Sequence, residues 1–225
     1  MTRDRRNNEE YFILKITSIQ KENEDDMKFL EKGNARPIAY FMAASGLSVE
    51  FSWRYSVGEE IKNLKNLYNK IFDYYLASIE ESDTYNDTLN IISLGILLNV
   101  KHEKLNHLYE LVQKYKQNDF IFSSLLHPVL QTNEIYPNLR FKRSKSSMML
   151  ERIFNSNKED AEQLMKEYLE KYFYTRENLD DDYDPKNPAG SWSWESAAIV
   201  KVMNLDDSSF KDNEFYPYDL AHWNG

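Results

Sequence analysis

The chain has 225 residues, and its 37 acidic against 28 basic side chains give a formal net charge of −9. It contains no cysteine, which excludes disulfides and thiolate metal sites and suits a reducing compartment. Hydrophobic residues make up 41% and aromatic residues 14%, so the chain can bury a core and disorder is disfavoured. Six glycines and six prolines leave few tight turns, which favours helices over a many-stranded β protein.

The first 130 residues have the spacing of amphipathic helices, with an apolar residue every three or four positions. The pattern predicts helices over 8–32, 38–55, 61–79, 83–99, 103–115 and 119–127. Gly33 and Asn34 suit a left-handed helix end, and Pro37 suits a first helical turn. Ser56 and Glu59 have the spacing of a capping box, which predicts the start of the third helix.

Pro128 marks a predicted boundary, and helical spacing resumes beyond it. We interpret the basic run from Arg140 to Lys145 as an exposed loop, with a phosphate contact as the alternative. Further helices are predicted over 146–154 and behind a second capping box at Ser156–Glu159. Residues 177–184 hold five carboxylates and are followed by two prolines, so this segment is predicted to be a loop.

Together these segments predict an all-α helical bundle of about nine or ten helices. We expect an N-terminal helical module over residues 1–130 and an acidic C-terminal module over residues 131–225, packed as one body. The start of the chain lacks the apolar run of a secretory signal, and its most apolar stretch, 89–98, is shorter than the roughly 20 residues that cross a bilayer. We therefore expect a cytoplasmic protein without membrane contact.

The excess negative charge lies in the last third of the chain. Residues 151–225 carry 17 acidic and 8 basic side chains, whereas the 20 acidic and 20 basic side chains of residues 1–150 cancel. A field of this sign repels nucleic acid and attracts a partner with a basic surface. We therefore expect a basic protein partner and no nucleic acid.

The stretch 190–220 has the most distinctive pattern in the chain. After a turn signal, small and apolar residues follow at helical spacing: Trp192, Trp194, Ala197, Ala198, Val202 and Leu205. Ser191 or Ser193 can cap this helix, and Glu195 lies in its first turn, near the positive end of the helix dipole. The aromatic residues around Pro217 can close over the helix.

The run GSWSWESAAIVK at 190–201, with DDSSFKD at 206–212 and YPYDL at 216–220, resembles the C-terminal signature of the PoNi-type immunity proteins. Arg3, Asp4 and the segment Tyr55–Glu59 resemble the N-terminal module of the same family. The resemblance implies an immunity protein of toxin-producing bacteria. Such a protein binds and neutralises a PoNe-type DNase toxin that a secretion system delivers, and is not itself an enzyme.

Two sets of residues are candidates for a role in this function. The resemblance implies that the signature residues determine the fold: Gly190, Trp192, Trp194, Glu195, Asp206, Asp207, Ser208, Tyr216, Pro217 and Asp219. The carboxylates of the acidic loop are predicted to face the basic surface of the toxin: Glu177, Asp180, Asp181, Asp182 and Asp184. The alternative is a solvated loop without a function, while a calcium site lacks the required spacing.

Two other classes of function stay open. One is a helical hydrolase in which Glu195 acts as a general acid or base, although no second catalytic motif accompanies it. The other is a structural scaffold or homodimer. His102 and His107 are five residues apart and do not form the HExxH pair of a metalloprotease. We expect neither a metal nor a cofactor.

Overall fold

The computed structural model describes residues 2–80, 85–115, 119–132, 135–140, 144–173 and 190–225. Within these ranges the elements are ten α-helices, and no strand occurs. The helices are α1 (Glu9–Glu31), α2 (Pro37–Val57), α3 (Ile61–Ser78), α4 (Tyr85–Leu97), α5 (His102–Tyr115), α6 (Phe120–Leu130), α7 (Lys145–Phe154), α8 (Lys158–Lys171), α9 (Trp194–Met203) and α10 (Tyr218–Ala221). The all-α prediction and the predicted number of helices are confirmed for this part of the chain. No helix described here is long and apolar enough to cross a membrane.

The chain forms two compact units, the first of which lies within Met1–Asp87 and Lys186–Ser191. In this unit α2 packs against both α1 and α3. The three-and-four spacing of α3 places its apolar side chains on the buried side, as predicted. The core of the unit contains Phe12, Leu30, Leu47, Phe51, Tyr55, Leu64, Tyr68, Ile71, Phe72 and Tyr75.

A glycine and a buried polar cluster set the approach of α1 to α2. A Cβ atom at Gly46 would overlap the side-chain oxygen of Asn23. Asn23 donates a hydrogen bond to one oxygen of the Glu50 carboxylate at 2.9 Å. The other Glu50 oxygen accepts from Gln20 at 3.0 Å and from Arg54 at 3.1 Å. Gly46 costs helix propensity, but it leaves room for a satisfied polar contact between the two helices.

The second unit lies within Thr88–Pro185 and Trp192–Gly225. There α6 packs against α5, α7 and α9, while α8 packs against α7 and α9. The apolar residues of α4 are buried as the sequence predicted: Leu89, Ile91, Ile92, Leu94, Ile96 and Leu97. The predicted module boundary at residue 130 stays a prediction.

Some predicted helix ends are confirmed and others are wrong. Gly33 and Asn34 both have positive φ angles, of 75° and 62°, and Pro37 begins α2. The predicted boundary near Pro128 is confirmed, because α6 ends at Leu130, although the helix continues through the proline itself. The second predicted capping box is displaced by one residue, since Asn157 caps α8 by accepting from the N–H of Asp160.

The predicted capping box at Ser56 and Glu59 does not form. Gly58 ends α2 with a φ of 97°, and α3 begins after Glu60 without a side-chain cap. The Glu59 carboxylate instead accepts two hydrogen bonds from the Arg54 guanidinium, each at 2.6 Å. These bonds raise the pKa of Arg54. An ion pair across the end of α2 therefore replaces the expected cap.

Candidate functional site

Helix α9 begins in a closed environment within the second unit. Its first seven residues, from Trp194 to Val200, are all buried. The backbone N–H of Ser193 donates to the carbonyl of Phe215 at 2.8 Å. Small side chains such as Ala197 and Ala198 allow neighbouring elements to pack closely against this helix. The aromatic segment around Pro217 therefore meets the helix start, as the sequence suggested.

The predicted serine cap of α9 is wrong. Ser193 occupies the N-cap position, but its hydroxyl forms no capping hydrogen bond. Its carbonyl instead accepts a hydrogen bond from the Ser196 hydroxyl at 2.8 Å. The long-range bond to Phe215 fixes the start of the helix in place of a local cap.

Glu195 lies fully inside the second unit, with no exposed surface. Its carboxylate accepts a hydrogen bond from the hydroxyl of Tyr168, on α8, at 2.6 Å. A general acid or base must come within hydrogen-bond reach of its substrate. The burial of Glu195 favours a structural tie between α8 and α9 over catalysis.

The acidic turn after α9 is held by its own backbone and by the end of the chain. Asp206 accepts from the N–H of Ser208 at 2.9 Å, and hydrogen bonds from Ser208 lower the pKa of Asp206. Asp207 is buried, and its Oδ2 atom lies 2.7 Å from the Tyr216 hydroxyl and 2.8 Å from Nε2 of His222. The turn and the aromatic segment are therefore joined through one carboxylate.

The remaining signature residues are divided between the interior and the surface. Trp192 and Trp194 are buried with their ring centroids 6.3 Å apart. Pro217 is buried and directly precedes α10, whereas Ser208 and Asp219 are exposed. Most of the signature thus packs inside the unit, which fits residues that determine a fold.

The two N-terminal motifs contact each other within the first unit. The backbone N–H groups of Arg3 and Asp4 donate to the carbonyl of Ser56 at 2.9 and 3.1 Å. The Arg3 guanidinium donates to the carbonyls of Tyr55 and Glu59 at 3.1 and 2.7 Å and lies over the Tyr55 ring. A cation at this place satisfies carbonyls left open at the end of α2.

Asp4 also holds the first residue of the C-terminal signature. Its carboxylate pairs with the Arg6 guanidinium at 2.8 Å and accepts from the backbone N–H of Gly190 at 2.7 Å. Arg6 donates in turn to the carbonyl of Ser191 at 2.9 Å. Gly190 has a φ of 83°, and a Cβ atom there would overlap the ring of Trp53. This position therefore requires glycine.

The predicted toxin-contact residues, from Glu177 to Asp184, lie outside the described residues. The role of their carboxylates stays a prediction. Across the described ranges, no group of three or more histidine or acidic side chains could hold a metal ion.

The described chain is thus an all-helical protein in which the distinctive sequence stretches mainly tie the fold together. A family model of the N-terminal part of PoNe immunity proteins (PoNi) matches residues 3–110. A model of the C-terminal part of PoNe immunity proteins matches residues 117–220. The chain belongs to this family of immunity proteins.

One solved structure adds evidence on the fold. The crystal structure of protein PA2201 from Pseudomonas aeruginosa is similar with a TM-score of 0.64. The similarity covers 92% of this chain and 87% of that chain at 16% sequence identity, which shows a shared fold. Among curated proteins, sequence comparison finds no match.

Proposed function

We propose that this protein protects a toxin-producing bacterium by binding a cognate DNase toxin in the cytoplasm and preventing it from engaging DNA. The observation that carries the proposal is the match of both family models, which together span nearly the whole chain. The protein acts by stoichiometric binding and not by catalysis. The enclosed position of Glu195 supports this, because the one carboxylate considered for catalysis has no exposed surface.

Electrostatics supports a basic protein partner. An enzyme that cleaves DNA needs a positively charged face for the phosphate backbone. The last third of this chain offers 17 acidic against 8 basic side chains. Carboxylates on its surface can occupy the basic face of the toxin in place of phosphates. We propose the carboxylates of residues 177–184 as contacts of this kind.

Inhibition of DNA cleavage tests the proposal. The purified protein is titrated into a fixed amount of the nuclease encoded beside it, and the remaining cleavage of plasmid DNA is measured. We expect cleavage to stop near equimolar protein, because a binding inhibitor acts by occupancy. A nuclease from an unrelated toxin, with an equally basic cleft, serves as the specificity control. Full cleavage at a large excess of the protein would exclude the proposed function.

A further inference from the structure

The outward face of α2 carries no charge. From Pro37 to Trp53 the only charged side chain is Glu50, and it is buried. Ile38, Met42 and Val49 lie on the outward face with 46%, 57% and 43% of their surface exposed. Surface helices normally place charged side chains toward the solvent. The exposure of Ile38, Met42 and Val49 is therefore a feature that the described part of the first unit does not explain.

The adjoining side of α1 adds an aromatic ring and acidic groups to this face. Lys15, Glu22, Asp26 and Phe29 recur at helical spacing and so share one side of α1. Lys15 lies 5.8 Å from the ring centroid of Trp53, which continues the row of Val49 and Met42 along α2. The side of α1 that contains Phe29, which is 55% exposed, therefore borders the outward face of α2.

The charge at this border is negative on balance, because the carboxylates of Glu22 and Asp26 outnumber the one ammonium group of Lys15. From Glu22 to Glu31, α1 has five acidic side chains and one basic one, Lys28. Lys28 is paired with Glu24 and Asp25, at 3.8 and 3.6 Å. The uncharged residues are thus bordered by the carboxylates of Glu22 and Asp26. An apolar centre with a polar border is the usual anatomy of a protein interface.

We propose that the cognate nuclease toxin docks on this α1–α2 face, defined by Glu22, Asp26, Phe29, Ile38, Met42 and Val49. The proposal rests on the proposed function and names a surface for it. The complementary surface of the toxin is an apolar patch bordered by lysine or arginine. Such residues surround the phosphate-binding cleft that a DNase requires. Met42 and Phe29 are the expected anchors, because large flexible and aromatic side chains are enriched in interface centres.

The negative charge at the border of this face favours the toxin over a second copy of this chain as its partner. In a symmetric pair the same acidic border would face itself, and each chain already carries a net charge of −9. Like charges brought together across an interface oppose association. A basic partner turns the same border into a favourable contact that also speeds encounter.

Two pairs of matched variants test the docking face against the catalytically inactivated toxin. Met42→Lys places a positive charge in the uncharged face, and Met148→Lys makes the same change on α7, where Met148 is 46% exposed. Methionine and lysine have similar helix propensities, so both variants should fold. Glu22→Gln with Asp26→Asn removes the acidic border, and Glu24→Gln with Glu31→Gln removes two charges from the opposite side of α1.

We expect Met42→Lys to weaken binding by at least about tenfold, the loss typical of an anchor residue, and Met148→Lys to leave it unchanged. The border variant should slow association and reduce its salt dependence, whereas its control should not. If Met42→Lys binds like the wild type, the docking face is wrong while the immunity function stands. If the wild type does not bind the toxin, both proposals fail. A wild-type dimer that Met42→Lys dissociates in sedimentation would assign the face to a second copy.

Discussion

Replacing Asp4 with alanine should destabilise the first unit by about 3–5 kcal/mol. The Asp4 carboxylate is fully buried, and the Arg6 side chain beside it is 10% exposed. The substitution leaves that guanidinium buried without its anion, and breaking a buried ion pair in this way costs about 3–5 kcal/mol. It also removes the acceptor of the Gly190 N–H, so the chain at 190 loses its anchor.

Urea unfolding followed by tryptophan fluorescence measures this loss, since Trp53 lies against Gly190. A double-mutant cycle that adds Arg6→Met measures the coupling free energy between Asp4 and Arg6, apart from their contacts with other residues. The double variant should be more stable than the sum of the single effects predicts, by about 1–3 kcal/mol, because both charges are then gone. The exposed pair of Asp25 and Lys28 is the control and should show little coupling. A loss below about 1 kcal/mol for Asp4→Ala, or additive effects, would refute the reasoning.

Four further predictions concern Gly190, Tyr68, Glu195 and the carboxylates of residues 177–184. Gly190→Ala should lower the free energy of unfolding by about 1–3 kcal/mol, because the new Cβ atom strains the backbone and overlaps the ring of Trp53. The control is Gly33→Ala, where no atom lies within 4 Å of the new Cβ atom, and urea unfolding should show a smaller loss for it. Burial raises the pKa of Tyr68 well above 10.0, so the folded state holds this proton more tightly and stability is lost as pH rises beyond 10.0. Tyr68→Phe removes that loss and should shift alkaline unfolding, followed by circular dichroism, to higher pH. The Glu195→Gln variant should still inhibit DNA cleavage by the toxin. If the protein were an enzyme that used this carboxylate, the variant would no longer inhibit cleavage. Replacing the five carboxylates of residues 177–184 with amides should weaken toxin binding at low salt and reduce its salt dependence, as measured by calorimetry. Unchanged binding would exclude these residues from the interface.

Helical periodicity was enough to predict the class of fold. Helices such as α3 and α4 are encoded by the spacing and density of their own apolar residues, which no distant contact has to supply. The end of α1 could also be predicted from Gly33 and Asn34, because few other residue types adopt the positive φ angles found there.

Helix ends that depend on tertiary contacts could not be predicted from the sequence. The spacing of Ser56 and Glu59 fits a capping box, but Arg54 competes for the Glu59 carboxylate and Gly58 ends the helix. Ser193 has the right position for a cap, yet the start of α9 is fixed through Phe215, which lies far along the chain. A local pattern states what a residue can do, and its neighbours in space decide what it does.

The distinctive sequence stretches could be recognised, but not their partners. Asp4 and Gly190 are 186 positions apart, and no periodicity links them. The burial of Glu195 against Tyr168 was equally hidden, because a glutamate in a first helical turn is normally solvated. The apolar pattern of α2 resembles that of a helix buried over most of its surface, yet Ile38, Met42 and Val49 are exposed on its outward face.

The most direct test of the account is calorimetric titration of the protein into the catalytically inactivated nuclease encoded beside it, at low and at high salt. We predict tight binding at a single class of sites, with an affinity that falls as salt rises because carboxylates meet a basic surface. Tight binding that does not respond to salt would contradict the electrostatic part of the account. The absence of binding at both salt concentrations would contradict its central claim, that this protein neutralises the toxin by occupying its surface.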